Sequence, residues 1–197
     1  MNPEEGIIKY NCFWKKENLI DPKILEDIIP VRNKLYEMKL IGVEKNGLCY
    51  GNISKRLHQN QFIISASGTG KYEYLSETGY TIVNNFSIEE NWVECIGLKQ
   101  ASSESLSHAA IYKKLNFINY VIHVHSSKLW SKYINMLPTT NPNIKYGTME
   151  MAQEISNLIQ NNPKNIFIMG GHKDGIISFG ENLEQAFASI NNLSKTI

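Results

Sequence analysis

Cysteine is scarce: Cys12, Cys49 and Cys95 are the only three in 197 residues, and no two are spaced Cys-x-x-Cys. That excludes a disulfide framework and predicts reduced thiols in a cytoplasmic protein. No apolar run approaches the ~20 residues that span a bilayer, so no membrane-spanning helix is expected. An excess of one charge is also missing. Lys and Arg number 20 against 19 Asp and Glu, a net charge of +1, which gives no reason to expect nucleic acid or an anionic membrane as partner. Met1 to Lys9 carries two acids and no long apolar core, so no secretory signal is expected there. There is no internal repeat, linker or low-complexity segment. The Ser67-Gly-Thr-Gly-Lys71 run lacks the spacing of a phosphate-binding P-loop.

What is present suits one globular domain over 1–197, with 42% apolar and 20% charged residues. Residues 1–20 are expected to form an N-terminal arm or an edge strand around Gly6 to Trp14. Asp21-Pro22 starts a helix that Pro30 interrupts or restarts. Val31, Leu35, Met38 and Ile41 continue at helical spacing to Gly42, a plausible terminator. After the Asn46-Gly47 turn, 48–56, 61–67, 80–83 and 92–96 read as strands, with a polar connection over 84–91. From Ser102 helices and strands alternate. Helices are expected over about 103–114, 127–136 and 148–160, and from Asn182. Strands are expected at 121–125, 165–169 and 175–179. This order predicts an α/β domain with a central mixed sheet and helices on both faces.

The stretch from Glu104 to His125 carries the chemistry. In a strand, residues two apart share a face, so His123 and His125 project together, about 7 Å apart along the backbone. Tyr120, Ile122 and Val124 face the opposite layer. Two imidazoles on one strand face can share a metal. His172 follows a buried strand and the Gly170-Gly171 pair, where a third ligand could arise. Three histidines with an open fourth position form a catalytic zinc pattern. Glu104, directly after Ser102-Ser103, could be a fourth ligand at rest or a general acid/base; as a plain helix-start acid it would only favour the helix dipole. His108, one turn later, reads as a packing or supporting residue. His58 reads as surface. Three small polar turns could present backbone N–H groups to an anion: Gly51-Asn52-Ile-Ser54, Ser67-Gly68-Thr69-Gly70, and Ser102-Ser103.

These segments, in this order, are similar to the class II aldolase/adducin family over roughly residues 30–190. The resemblance implies a three-layer α/β/α fold and a homotetramer with active sites at subunit interfaces. It implies Zn2+ held by His123, His125 and His172. Glu104 would bind the metal without substrate and shuttle a proton during turnover. Asn52, Ser67, Gly68, Ser102 and Ser103 would hold a substrate phosphate. The implied activity is cleavage of a small phosphorylated ketose to dihydroxyacetone phosphate and an aldehyde. An epimerase or dehydratase of the same family, and a metal-free adducin-like scaffold, are the alternatives. The chain departs from the family pattern in Ala101 before Ser-Ser-Glu, in His172-Lys-Asp-Gly175, and in a short segment from Ser126 to Gly147. In that segment Tyr133 and Tyr146 are the candidates for the family's proton-donating tyrosine. Glutamate at position 104, where the family's epimerases carry aspartate, favours the aldolase.

Overall fold

Asn11–Lys15 (β1) lies on the outer edge of the main sheet in the computed structural model, which describes residues 6–196. Of the two expectations for the arm, the edge strand is therefore realised at 11–15, while residues 1–5 lie outside the described ones. Asp21 caps a 3-10 turn, Pro22–Leu25, by accepting from the Lys23 N–H. The helix proper is Ile28–Glu37 (α1). Pro30 neither interrupts nor restarts it. It sits in the first turn, whose N–H groups have no helical acceptor, so its missing donor costs nothing there. Nor does the helix reach Gly42. Met38 closes it, Lys39 turns left-handed at φ +59°, and Gly42–Val43 (β2) pairs instead with Cys49–Tyr50 (β3). Leu40 and Ile41 are buried, so their helical spacing in sequence reflects burial in a turn rather than a continuing helix.

Gly51 takes φ +75°, a backbone state open to glycine at little cost. It divides the expected 48–56 strand into β3 and Asn52–Arg56 (β4). Phe62–Ser65 (β5), Tyr80–Ser87 (β6) and Trp92–Gly97 (β7) follow. β6 continues through residues expected in a polar loop. A register shift between Val83 and Asn85 returns Phe86 to the buried face. Ser105–Lys114 (α2), Tyr120–His125 (β8), Ser127–Tyr133 (α3), Met149–Gln160 (α4), Ile166–Ile168 (β9), Gly175–Gly180 (β10) and Leu183–Ser194 (α5) complete the chain. α3 stops short of residue 136, and Asn135 is left-handed at φ +66°. Ser126, Thr148 and Asn182 cap α3, α4 and α5, their side chains accepting from the N–H groups of Leu129, Met151 and Gln185.

The main sheet runs β1-β7-β6-β5-β4-β8-β10-β9, with β1–β7 parallel and every other neighbouring pair antiparallel. One face carries α2 and α4, packed through Leu106, Ala110, Met151 and Ile155 on Phe62, Val121 and Ile177. The other carries α1, α3 and α5, packed through Ile28, Leu35, Leu129 and Ile190 on Ile53, Ile122 and Val124. The three-layer α/β/α expectation holds. No helix among the described residues is long and apolar enough to cross a membrane.

β8 lies between β4 and β10, so the period of two sorts its side chains cleanly. Ile122 and Val124 join the α1/α3/α5 core and Val121 the α2/α4 core. His123 and His125 share the parity of Val121. Register then sets Asn52 of β4 opposite His123, and Gly175 of β10 opposite His125. The two histidines thus stand at one end of the sheet, where β4 begins, β8 ends and β10 begins.

Candidate active site

His172 reaches the same end from the β9–β10 turn. The turn is tight: the Met169 carbonyl accepts from the His172 N–H, and the His172 carbonyl from the Gly175 N–H. It is also overlaid by the 140–144 segment. A Cβ at Gly171 would collide with the Ile144 carbonyl, so the glycine allows this close approach. The ring centroids of His123, His125 and His172 are 4.6–5.1 Å apart. Their ligand nitrogens all lie within 4.8 Å of one another. The triad is positioned to bind a metal ion.

Burial sets the electrostatics. Burial first, and then the neighbouring imidazoles, hold His123 well below the ordinary histidine value. Burial, with Lys9 nearby, takes His172 down to about 3. Both rings are therefore neutral at physiological pH and carry a lone pair, as a metal ligand must. His123 Nε2 is buried without a hydrogen-bond partner among the described residues. Its Nδ1 faces Asn52 Nδ2 at 3.4 Å, and Asn52 Nδ2 also reaches Ser102 Oγ at 3.1 Å, while Asn52 Oδ1 has no partner. A half-turn of the amide sets Oδ1 to accept from both His123 Nδ1–H and the Ser102 hydroxyl. In that orientation the tautomer would leave Nε2 free for a metal. Asn52 therefore links the histidine triad to Ser102.

Glu104 is 2% exposed and lies beside the triad, with Oε1 3.9 Å from His172 Nδ1. It occupies the N-cap position of α2, yet its side chain makes no capping bond. Its Oε2 instead accepts from the Ser107 hydroxyl at 2.7 Å. The backbone before it is pinned from β1's side, since the Tyr10 hydroxyl donates to the Ser102 carbonyl at 2.9 Å. The far end of α2 is anchored by Arg56, which donates to the Tyr112 and Leu115 carbonyls. His108 lies inside the helix layer, hydrogen-bonded to Ser54 Oγ at 2.7 Å; it is the supporting residue expected. His58 is exposed.

The remaining expected residues line the same pocket. Asn52, Ser67, Gly68, Ser102, Ser103, Glu104 and the three histidines all border it. Thr69 and Gly70, read from the sequence as part of the same anion-binding turn, border it too, as does Tyr50, which sequence reasoning missed. The first two follow Ser67-Gly68 in one turn, which the Gly-Thr-Gly run marks. Gly68, Thr69, Gly70 and Ser103 have no hydrogen bond on their N–H groups among the described residues. Tyr50 stacks on His125 at 5.3 Å, delivered by the β2–β3 hairpin; nothing in the local sequence pattern indicates that contact.

The family model for the class II aldolase and adducin N-terminal domain matches residues 44–197. The chain belongs to this family. Among solved structures it resembles an L-fuculose 1-phosphate aldolase, at 21% identity over 91% of this chain and 87% of that one, with a TM-score of 0.68. A sugar-phosphate aldolase from Thermotoga maritima is 18% identical over 88% of this chain and 91% of that one, with a TM-score of 0.67. The Thermus thermophilus L-fuculose-1-phosphate aldolase is 17% identical over 89% and 91%, with a TM-score of 0.65. No curated protein matches the chain. Identities this low carry the fold and leave substrate to the site. As a class II aldolase-family domain, this chain has two tyrosines in its shortened segment, and the fold separates them. The Tyr133 hydroxyl contacts Thr196. Tyr146 is 2% exposed, borders the pocket and stacks on His172 at 4.1 Å.

Proposed function

We propose that the protein is a zinc-dependent lyase that cleaves a small phosphorylated ketose into dihydroxyacetone phosphate and an aldehyde. One juxtaposition carries the reading: a triad of buried imidazoles shares a pocket with a turn whose N–H groups carry no other hydrogen bond among the described residues. His123, His125 and His172 would hold the ion. Three nitrogen ligands with the fourth position left to substrate is the catalytic zinc arrangement. Bound there, the ion supplies an electrophile that offsets negative charge developing on a substrate oxygen.

The chain's own groups do the rest. The N–H groups of Gly68, Thr69, Gly70 and Ser103, with the Ser67 and Ser102 hydroxyls, bind the phosphate and fix which bond lies over the triad. Asn52 orients His123 from behind. Scission of the carbon–carbon bond leaves an electron pair on the phosphorylated half, and Glu104 returns a proton to that carbon. Tyr146 takes the proton from the hydroxyl that becomes the aldehyde oxygen as the bond breaks. In this reading the protein works as a homotetramer in the cytoplasm, with sites at subunit interfaces.

Elemental analysis and a sugar-phosphate screen test it together. The expected result is about one zinc per chain and enzymatically detected release of dihydroxyacetone phosphate from at least one ketose phosphate. The triple His→Ala variant of the triad should lose both. Full metal retention in that variant, or a metal-loaded protein inert on every ketose phosphate, removes the proposal.

A further inference from the structure

Arg32 is a buried cation in an unusual position. It is 1% exposed, on the inner face of α1. Among the described residues no carboxylate pairs with it, and the groups around it are Tyr36, Tyr80 and Cys49. Its guanidinium donates to two backbone carbonyls of the loop after β5: Nη1 to Glu73 O at 2.7 Å and Nη2 to Thr69 O at 3.1 Å. The Asn33 side chain accepts a third, longer bond of 3.4 Å. Burial without a counter-charge disfavours such a cation. The carbonyls offset part of that cost, and an anion nearby would offset more of it.

The loop that Arg32 holds is the one whose Gly68, Thr69 and Gly70 N–H groups are unspent. Thr69 and Gly70 share one trans peptide unit, and there the carbonyl and the N–H point in opposite directions. With the Thr69 carbonyl turned to the guanidinium, the Gly70 N–H is directed away from it. Both residues border the active-site pocket. Among the described residues the pocket's border includes no lysine or arginine, although Lys9 lies over the ring of Tyr146 on the histidine side. On the side of the Ser67–Gly70 turn the positive charge is Arg32, one peptide behind the wall.

We infer that Arg32 is the counter-charge of the anion cradle, acting through the Thr69–Gly70 peptide it polarises and holds in place. The site would then select dianionic phosphorylated ligands over neutral isosteres, although no cationic side chain of the cradle touches the phosphate. Arg32 is a positioning residue in this role. The inference rests on the proposed reading of Ser67–Gly70 and Ser102–Ser103 as a phosphate cradle.

The test compares two metal-chelating probes by calorimetry on zinc-loaded protein: phosphoglycolohydroxamate and unphosphorylated glycolohydroxamate. Wild type should prefer the phosphorylated probe. Arg32→Met, similar in length and uncharged, should weaken that probe roughly tenfold or more while leaving glycolohydroxamate and zinc content within about twofold, the pattern of a lost charge rather than of an unravelled site. Arg32→Lys keeps the charge and should retain most of the preference. Equal binding of both probes by wild type overturns the cradle reading, and Arg32's role with it. A wild-type preference that survives in Arg32→Met, or a parallel loss of both probes, overturns the Arg32 inference alone. Should Arg32→Met not fold, Arg32→Lys decides: a folded lysine variant without phosphate preference overturns the charge role. In wild type the Arg32 Nε–H resonance should shift with the phosphorylated probe only; an unmoved resonance counts against the inference.

Discussion

At the residue scale the informative side chains are polar groups buried where a core would normally be apolar. Glu104 illustrates it. As a helix-start acid its carboxylate would turn back onto the first-turn N–H groups. Here it makes no such bond and lies between the Ser107 hydroxyl and His172. Glu104→Gln keeps the size and the acceptor oxygen but cannot carry a proton between substrate atoms. Turnover should fall by roughly 10²–10⁴, with zinc content and thermal stability near wild type. Single-turnover kinetics beside elemental analysis separate these readouts, and a variant with near-normal turnover would return Glu104 to a structural role.

At the element scale the site depends on loops tied to rigid partners. Tyr146 precedes α4 by two residues, and Gly147 between them is left-handed at φ +67°. The entry to α4 is fixed by Thr148, whose hydroxyl accepts from the Met151 N–H and donates to the Lys145 carbonyl. Thr148→Ala removes both bonds and should lower stability by about 1 kcal/mol, the usual worth of an N-cap. Because Tyr146 stacks on His172, the same change should weaken zinc retention more than an equal destabilisation elsewhere. Thr148→Ser, which restores both bonds, should recover both properties. Denaturant titration with chelator competition measures this; if Ala and Ser behave alike, the cap does not hold the tyrosine.

For the whole molecule, three buried histidines, His108, His123 and His172, make stability depend on pH. Burial takes His108 and His172 down to about 3, whereas an unfolded chain protonates histidine near the ordinary value of about 6.5. Between those values the unfolded state binds protons that the folded state refuses. Stability is therefore complete above pH about 6.5 and falls as pH drops toward 3, by about 1.4 kcal/mol per pH unit for each such group. Urea unfolding of metal-stripped protein at pH 7, 6, 5 and 4 should show the decline. His108→Gln should flatten it by one proton's worth, since His108 lies within the helix layer with Ser54 and Tyr112 rather than in the triad. A profile with no slope between pH 6.5 and 4 would mean that these imidazoles titrate normally.

The sequence by itself determined whatever depends on local period. Alternation placed His123 and His125 on one face of β8. Asp21, Thr148 and Asn182 marked helix starts, and the ordered segments identified the family. Glu104, His172 and the serine turns could be named because small polar and glycine-rich runs are legible one residue at a time. What tertiary structure decided is which of these meet. Strand order set β4 and β10 on either side of β8, and so put Asn52 opposite His123. The overlying 140–144 segment brought Tyr146, and not Tyr133, to His172. α1 was expected only as a helix with an apolar stripe, yet it delivers Arg32 to the back of the Thr69–Gly70 turn across 37 positions of sequence. The helix that stops at Glu37 and the strand that continues past Val83 belong to the same class. Propensity and spacing act over a few residues, whereas a left-handed Lys39, a bulge at Val83–Asn85 and a buried Arg32 on the carbonyls of a distant loop exist only because distant elements close around them.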